Sequence, residues 1–261
     1  MTEKPIFITI APGVDMPLVG LGTWEASGSE AYDACRRALE VGYRHIDTAT
    51  MYGNEAAVGR AVRDSGLPRD QIFVTTKLPS GDAGRERETI DASLAAMQLD
   101  YVDLWLIHWP PGGSARPDVW EQLVRVQAEG LARAIGVSNY DPAQIDDLIE
   151  ASGVTPSVNQ IPWSPALYDP ALVQAHRERG VALEGYSPFK TMNLSAPALV
   201  EIAEAHGVST RQVVVRWHVE HGVVVIPKSS DPARIAANFD VFGFALDAGE
   251  VARIDAIKES R

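Results

Sequence analysis

The sequence contains little cysteine and lacks a long apolar run. Its one cysteine, Cys35, cannot form an internal disulfide, and its helix-like surroundings favour a buried apolar role. A single thiol is typical of a reducing compartment, so we predict a cytoplasmic protein. No run of about 18 or more apolar residues is present, and no basic amphipathic segment occurs. We therefore expect neither a membrane-spanning helix nor a membrane partner.

The start of the sequence also lacks the pattern of a secretion signal. Met1–Lys4 leads directly into a strand-like segment, Ile6–Ile10, without an apolar run and a small-residue cleavage site. We therefore expect that the chain is not secreted.

Positive charge is scarce and scattered. The formal net charge is −12, and no run of Lys and Arg interrupts it, so we expect no nucleic-acid partner. An anionic ligand such as a nucleotide would then need a local cluster of cations. The chain has 261 residues, of which 46% are hydrophobic, enough for one large core. We predict a single domain over residues 1–261 and a monomer.

Short apolar runs alternate with longer amphipathic runs from about residue 18 almost to the end, which predicts repeated strand and helix units. The predicted strands are Leu18–Gly22, Tyr43–Thr48, Ile72–Lys77, Val102–His108, Ala134–Val137, Ser157–Gln160, Ala182–Tyr186 and Val223–Pro227. The predicted helices are Ser29–Val41, Asn54–Asp64, Gly84–Met97, Asp118–Glu129, Asp141–Ala151, Pro170–Arg179, Ala198–Ala205, Ser209–Glu220, Pro232–Asn238 and Ala248–Lys258.

This pattern predicts an α/β fold with a closed (β/α)8 barrel, because eight mostly apolar strands are typical of a parallel sheet covered by helices. An open doubly wound sheet is the main competitor. Its phosphate-binding turn carries three glycines, whereas the first turn here, Gly20-Leu-Gly-Thr-Trp-Glu, lacks the third. Before the first strand, Phe7–Ile10 and Met16–Leu18 flank Pro12-Gly13. These segments predict a hairpin that closes the bottom of the barrel.

Polar residues follow or end most of the predicted strands. In such a barrel the reactive face lies at the carboxyl ends of the strands, so these residues should meet at one rim. They are Asp47, Lys77, His108, Ser138-Asn139, Asn159-Gln160, Tyr186-Ser187 and Lys228-Ser229. Each one alone has a structural explanation, such as an ion pair between Asp47 and Lys77. Gathering all of them at one cavity is costly unless a ligand uses them, which favours a functional site.

Several segments resemble the aldo-keto reductase family, in particular its bacterial aldehyde, ketone and diketogluconate reductases. They are Gly20-Leu-Gly-Thr-Trp24, Gly42-Tyr-Arg-His-Ile-Asp-Thr-Ala49, Tyr52-Gly-Asn-Glu-Ala-Ala-Val-Gly59, Asp103-Leu-Trp-Leu-Ile-His-Trp-Pro110, Ile135-Gly-Val-Ser-Asn139 and Ile226-Pro-Lys-Ser229. The resemblance runs in order from about Gly20 to Phe244. It implies the barrel fold and an NADPH-dependent oxidoreductase that reduces small-molecule aldehydes and ketones.

By the same resemblance the catalytic residues are Asp47, Tyr52, Lys77 and His108. Their chemistry agrees with that implication. A tyrosine has a pKa of about 10, so its use as a proton donor near neutral pH needs a neighbour that stabilises the phenolate. The Lys77 ammonium would do so while Asp47 keeps it charged, and His108 would orient the substrate carbonyl.

The resemblance also places the cofactor. Tyr186 would stack on the nicotinamide, and its carboxamide would bind Ser138, Asn139 and Gln160. The remaining implied contacts are Gly22, Thr23, Ser187, Lys228, Ser229, Arg234 and Asn238. Lys228 and Arg234 stand at the start of a predicted helix, whose N-terminus attracts anions. They are the cation cluster sought above, and we expect them to favour the 2′-phosphate of NADPH over NADH. The alternative is a solvated surface pair.

Trp24, Met51 and Trp109 are implied to line the substrate pocket, although Met51 could instead pack in the core. The segment after Gln160, Ile161-Pro-Trp-Ser-Pro165, departs from the acidic residue and histidine usual in the family. The connections after Trp109 and Tyr186 are short, and few residues follow Ile257. We therefore expect an open pocket with broad selectivity.

Three alternatives remain open at this point. The fold also serves cofactor-binding regulatory subunits with little turnover, although the complete set of four catalytic residues argues against that role. A second alternative is an aldolase that forms a Schiff base at Lys77. His206, His218 and His221 suggest a metal cluster, but only His218 and His221 are helix neighbours, so we expect no metal.

Overall fold

The computed structural model describes residues 6–258. Met1–Lys4, on which the expectation of no secretion signal depends, lies outside this range. The strands are β1 Phe7–Ala11, β2 Val14–Pro17, β3 Leu21–Gly22, β4 His45–Asp47, β5 Phe73–Leu78, β6 Val102–Ile107, β7 Ala132–Ser138, β8 Val158–Pro162, β9 Ala182–Tyr186 and β10 Val224–Val225. The helices are α1 Gly28–Val41, α2 Glu55–Asp64, α3 Glu86–Met97, α4 Pro117–Ala128, α5 Pro142–Ser152, α6 Pro170–Glu178, α7 Pro197–His206, α8 Thr210–Glu220, α9 Pro232–Phe239 and α10 Ala248–Asp255.

Strands β3 to β10 form one parallel sheet in sequence order. Parallel bridges from Val19 to Val225 and from Gly22 to Lys228 join its two ends. The predicted (β/α)8 barrel is therefore confirmed. A side chain at Gly22 would lie 2.8 Å from the carbonyl oxygen of Ile226, so this seam requires glycine.

The helices agree closely with their predicted bounds. Several begin at the expected caps: the side chains of Asp141, Ser209 and Asp247 each accept a hydrogen bond from the third residue of the helix that follows. The two seam strands are shorter than predicted. Only Leu21–Gly22 and Val224–Val225 keep a continuous ladder, because the closing contacts are single bridges.

The hairpin β1–β2 lies at the amino-terminal end of the barrel strands, as predicted. Arg133, near the start of β7, donates a hydrogen bond of 2.8 Å to the carbonyl oxygen of Gly13 at the turn. Met16 on β2 is fully buried in the main core. Burial of that apolar side chain closes the bottom of the barrel and leaves the opposite rim open.

The core lies inside the sheet and between the sheet and its helices. All six residues of β5 and all six of β6 are buried, as expected for strands covered on both faces. Cys35 on α1 is buried in this core, in the apolar role that the sequence suggested.

Helices α2 and α3 approach so closely at Gly59 that a methyl group there would lie 2.1 Å from the carbonyl oxygen of Met97. Overpacking of this kind costs about 1–3 kcal/mol, so we expect Gly59→Ala to lower the free energy of urea unfolding by that amount. Gly28→Ala is the control, because nothing lies within 4 Å of the added carbon. Equal stabilities of the two variants would contradict the close contact.

Candidate active site

Four elements bring the predicted catalytic residues to one place on the rim. Asp47 ends β4, Lys77 lies in β5, and His108 directly follows β6. Tyr52 ends a short 3-10 helix, Thr50–Tyr52, just after β4. Because the strands are parallel and adjacent, their carboxyl ends point to the same side, and the loop after β4 returns Tyr52 above them.

The centre of the site is a buried ion pair. The Lys77 ammonium donates hydrogen bonds of 2.7 Å and 2.8 Å to the two carboxylate oxygens of Asp47. A further bond of 2.9 Å goes to the carbonyl oxygen of Thr48. Both side chains are almost completely buried. Such a pair is held in place because either partner alone would be an uncompensated buried charge.

Tyr52 lies directly against this pair. The Lys77 nitrogen is 5.1 Å from the centre of the Tyr52 ring. The same ring is 5.0 Å from the Trp24 ring and 5.7 Å from the His108 ring, edge to face in both cases. The structure thus brings together all four residues that the sequence predicted, with Trp24 as a neighbour.

Burial raises the pKa of the Tyr52 hydroxyl above its usual value. The negative charge of Asp47, and that of Glu184 where it is ionised, add to the rise, while Lys77 opposes it. From the sequence we expected Lys77 alone to set the pKa of Tyr52. The net rise of that pKa differs from the expectation. Its reason is that burial penalises the phenolate more than one ammonium favours it. Tyr52 is therefore a neutral phenol in the free protein.

Lys77 stays charged. Burial acts to lower its pKa, but the charge of Asp47, the phenolate form of Tyr52 at high pH and the hydrogen bonds to Asp47 outweigh burial, and the net pKa is raised. Burial also raises the pKa of Asp47 against the effect of Lys77. Because both Asp47 oxygens accept hydrogen bonds from Lys77, we assign the pair as ionised.

His108 is a neutral imidazole. Burial and then the charge of Lys77 lower its pKa to about 3. Its Nδ1 is buried and has no hydrogen-bond partner among residues 6–258. Its backbone is fixed by a hydrogen bond of 2.9 Å to the Leu78 carbonyl oxygen and by one of 3.2 Å from the Asn139 amide to the His108 carbonyl oxygen.

Glu184 on β9 is a site residue that the sequence reasoning missed. It is fully buried, and the Gln160 amide nitrogen donates 2.8 Å to Asp47 and 2.9 Å to Glu184. Burial, followed by the charge of Asp47, raises the pKa of Glu184 to about 8. The sequence did contain one sign of this residue, because a carboxyl side chain stands within an apolar strand, two residues before Tyr186.

The residues predicted to hold the nicotinamide form one connected rim. Ser138 donates 2.9 Å to the Gln160 carbonyl oxygen, and the Asn139 amide donates 2.9 Å to the Ser138 hydroxyl. The Tyr186 hydroxyl donates 2.9 Å to the Asn139 side-chain oxygen. Asn139 and Ser187 both have positive φ, at 63° and 55°. These residues follow β7 and β9, which flank β8, and strained backbone of this kind is typical of a binding site.

Gly22 and Thr23 lie on the other side of Asp47. The Thr23 hydroxyl donates 2.9 Å to the Asp47 carbonyl oxygen, and the Asn54 amide donates 3.0 Å to the Thr23 carbonyl oxygen. These bonds hold the loop after β3 against β4. Thr23 therefore stabilises this loop, in addition to its predicted contact with the cofactor.

The two cations predicted to bind a phosphate lie before and within α9, and the structure differs from the expectation in one respect. Lys228 and Arg234 are exposed, and their ion pairs with Glu30 and Asp231 are long, at 3.8 Å and 3.9 Å. The N-terminus of α9 is not open to an anion as expected, because the Asp231 side chain accepts hydrogen bonds from the amides of Ala233 and Arg234. The two cations are then the main attraction for a phosphate.

The remaining two residues of the predicted adenosine end lie in buried positions. Ser229 accepts a hydrogen bond of 3.1 Å from the Asp231 amide. Asn238 lies four residues after Arg234 and so on the same face of α9.

Large apolar side chains surround the mouth of the site. Trp24, Met51 and Trp109 are 50%, 57% and 49% exposed, although each follows a buried strand or turn. Core packing, which was an alternative for Met51, does not agree with that exposure. Exposed apolar groups beside a polar cluster are typical of a small-molecule site.

The segment that departs from the family, Ile161-Pro-Trp-Ser-Pro165, serves packing. Trp163 is buried and stacks on Trp217 at a centroid distance of 6.2 Å. The Ser164 hydroxyl lies 2.7 Å from that of Thr191, which joins the loops after β8 and β9. The departure therefore anchors the loops after β8 and β9 by packing and a hydrogen bond.

The three candidate metal histidines do not converge. His206 lies 2.9 Å from Glu250, His221 lies 2.9 Å from Asp255, and His218 bonds to the carbonyl oxygen of Val214. The described part of the chain holds no group of three or more histidine, cysteine or carboxylate side chains able to bind a metal ion. Within residues 6–258, no helix combines the length and apolarity needed to cross a membrane.

Comparison with known proteins gives the family. The profile of the Aldo/keto reductase family matches residues 18–259. An aldo-keto reductase of Mycolicibacterium vanbaalenii is 47% identical over 94% of this chain and 89% of its own length. A methylglyoxal reductase of Escherichia coli is 41% identical over 97% of this chain and 94% of its own length.

The crystal structure of a Bombyx mori aldo-keto reductase in complex with NADP superposes with a TM-score of 0.89, at 34% identity, covering 97% of this chain and 92% of that one. The barrel fold is therefore shared with these proteins. The chain belongs to the aldo/keto reductase family and is an oxidoreductase enzyme. The resemblance read from the sequence is confirmed.

Removal of one partner from the buried ion pair should be costly. We expect Asp47→Leu to lower the free energy of unfolding by about 3 kcal/mol, because the Lys77 ammonium is left without its counter-ion. The double variant Asp47→Leu/Lys77→Met should regain most of that loss, since no buried charge remains. Urea denaturation measures both. A double variant less stable than Asp47→Leu would contradict the assignment of an ionised pair.

Proposed function

We propose that this enzyme reduces aldehydes and ketones to alcohols with NADPH, and that Tyr52 donates the proton. The observation that carries the proposal is the buried, ionised Lys77–Asp47 pair directly against the neutral Tyr52 phenol. Reduction of a carbonyl needs a hydride at carbon and a proton at oxygen. No side chain can donate a hydride, so a reduced nicotinamide would supply it.

Tyr52 is suited to give the proton because burial keeps it neutral, and so loaded with its proton, in the resting enzyme. Negative charge that develops on the carbonyl oxygen during reduction would draw the phenolic proton of Tyr52. The Lys77 ammonium then faces a phenolate, an attraction that is absent before the reaction. Stabilisation that arises mainly in the transition state raises the rate.

His108 would orient the substrate. Its low pKa keeps the imidazole neutral, with Nδ1 buried, so Nε2 can donate a hydrogen bond to the carbonyl oxygen. The tautomer is assigned from this arrangement. Two donors, the Tyr52 hydroxyl and the His108 imidazole, would thus meet the oxygen on which charge develops.

The residues on the rim fit a nicotinamide dinucleotide. Tyr186 is half-buried at the end of β9 and can present its ring, while Ser138, Asn139 and Gln160 offer hydroxyl and amide groups for a carboxamide. Lys228 and Arg234 would hold the 2′-phosphate in exchange for Glu30 and Asp231. The NADP seen with the Bombyx mori relative supports this assignment.

Two rival functions are less well supported. A Schiff-base aldolase needs a neutral lysine, whereas the Asp47 carboxylate keeps Lys77 protonated. A regulatory subunit needs no proton donor, whereas the residues proposed for proton transfer lie together here.

The exposed apolar mouth at Trp24, Met51 and Trp109 supports broad selectivity for small carbonyl compounds rather than tight recognition of one. The methylglyoxal reductase among the relatives acts on such a compound by its name.

Tyr52→Phe tests the proton donor. We expect kcat for reduction of a simple aldehyde to fall by about 100-fold or more, because general acid catalysis contributes that much, while NADPH binding is retained. Absorbance of NADPH measures turnover, and fluorescence titration measures binding. Tyr32→Phe removes the hydroxyl of a tyrosine on helix α1 that donates an exposed hydrogen bond to Asp64, and it should leave kcat unchanged. Full activity in Tyr52→Phe would reject the proposal.

A second test removes the two cations, Lys228 and Arg234. In Lys228→Ala/Arg234→Ala the KM for NADPH should rise about tenfold or more, because two charge-assisted contacts to the 2′-phosphate are lost, while the KM for NADH changes little. Arg253→Ala removes an exposed arginine paired with Glu201 and should affect neither. Equal increases for both cofactors would show that the pair does not read the phosphate.

A further inference from the structure

Glu184 lies in the interior of the barrel, beside the proposed reaction centre. In the pairing of β8 with β9, Glu184 is opposite Gln160, so the two side chains are neighbours. The Gln160 amide nitrogen donates to both Asp47 and Glu184. Both hydrogens of that nitrogen are therefore used, and the side-chain oxygen of Gln160 is left to accept a bond from another group.

The charges of this cluster leave no counter-ion for Glu184. Lys77 carries the positive charge and is already bonded to both oxygens of Asp47. A second carboxylate would be a buried charge without compensation, which is strongly unfavourable. Burial and the charge of Asp47 accordingly raise the pKa of Glu184 to about 8, so at neutral pH its carboxyl mostly keeps its proton.

The other groups that face Glu184 do not change charge near that pH. From β4, His45 lies 3.7 Å from the second Glu184 oxygen, and burial, then Lys77, lowers the pKa of His45 to about 3. Asp47 and Lys77 form the ion pair, and Tyr52 titrates above its usual range. The second oxygen of Glu184 accepts or donates no hydrogen bond within residues 6–258. No hydrogen bond in the described part of the chain therefore holds this oxygen in one protonation state.

We propose that Glu184 acts through Gln160 as a positioning residue of the reaction: its protonated carboxyl fixes the Gln160 amide with the side-chain oxygen turned to the nicotinamide carboxamide, and its ionised form favours the oxidised cofactor. This inference rests on the proposed function, because it requires a nicotinamide at the rim.

The preference for oxidised cofactor follows from charge. Oxidation of a nicotinamide adds one positive charge to its ring, and a negative charge in a poorly screened interior attracts it. By linkage, oxidised cofactor must also favour loss of the Glu184 proton to the same degree. As the pH rises through about 8, the enzyme therefore gains affinity for NADP+ relative to NADPH.

Cofactor binding tests the charge. Dissociation constants for NADP+ and NADPH are measured by fluorescence titration at pH 6.5 and 9.5. In the wild type we expect the ratio of the NADP+ constant to the NADPH constant to fall by about fivefold between these pH values, an order-of-magnitude figure for one added charge. In Glu184→Gln, which cannot ionise, the ratio should change less than about twofold. Parallel changes in the two proteins would overturn the inference.

Turnover tests the positioning. Glutamine at position 184 can still accept a hydrogen bond from Gln160, whereas leucine cannot. At pH 7 we expect Glu184→Gln to keep kcat within about twofold, and Glu184→Leu to lower kcat by about tenfold with a smaller change in KM, because a misplaced ring slows hydride transfer. Equal kcat in both variants would contradict positioning through Gln160.

A matched control separates this role from burial of a carboxyl in general. Glu55 is also buried, and it accepts a hydrogen bond of 2.6 Å from Thr76 without contacting Gln160. Glu55→Gln should show the wild-type change in cofactor ratio. Failure of the proposed function is seen separately, as a wild type that binds no NADPH or reduces no carbonyl compound.

Discussion

The hydrogen bonds of the Lys77 ammonium to the two Asp47 oxygens are the constraint on which the rest of the site depends. An ammonium in the interior of a barrel would lose its proton without a carboxylate beside it. With the carboxylate in place, a permanent positive charge lies next to Tyr52. The negative charge of Asp47 balances it, so the barrel interior gains no net charge from the pair. In the reaction that we propose, Tyr52 would stay a neutral proton donor until a phenolate forms beside that positive charge.

The barrel supplies this constraint through simple geometry. Adjacent parallel strands bring Asp47 and Lys77 side by side, and the closed bottom leaves one open face for ligands. The rim residues then hold one another, from Ser138 through Asn139 to Tyr186. By our proposal this fixed network would hold the nicotinamide in place, while Tyr52 and His108 would face the reacting oxygen without reorganisation.

Much of the fold and of the candidate site was predictable from sequence, because the strands are apolar runs and most of the predicted site residues end or follow one. Bounds of the long helices needed only periodicity and caps such as Asp141 and Ser209. Other features depend on contacts between distant segments. Glu184 lies inside a strand, and only its contact with Gln160 in the folded structure shows that it belongs to the candidate site. Asp231 occupies the helix N-terminus that we expected to be open to phosphate. The net pKa of Tyr52 likewise depends on burial, which periodicity does not measure.

The central claim is that Lys77 is an ammonium throughout the working range of the enzyme. Nitrogen-15 NMR of the Lys77 side chain in the free protein measures this directly, since the shift of the nitrogen differs between ammonium and amine. We expect the ammonium form from pH 6 to about pH 10, because the folded structure raises the lysine pKa above its usual value near 10.5. An amine signal at pH 7 would contradict the account.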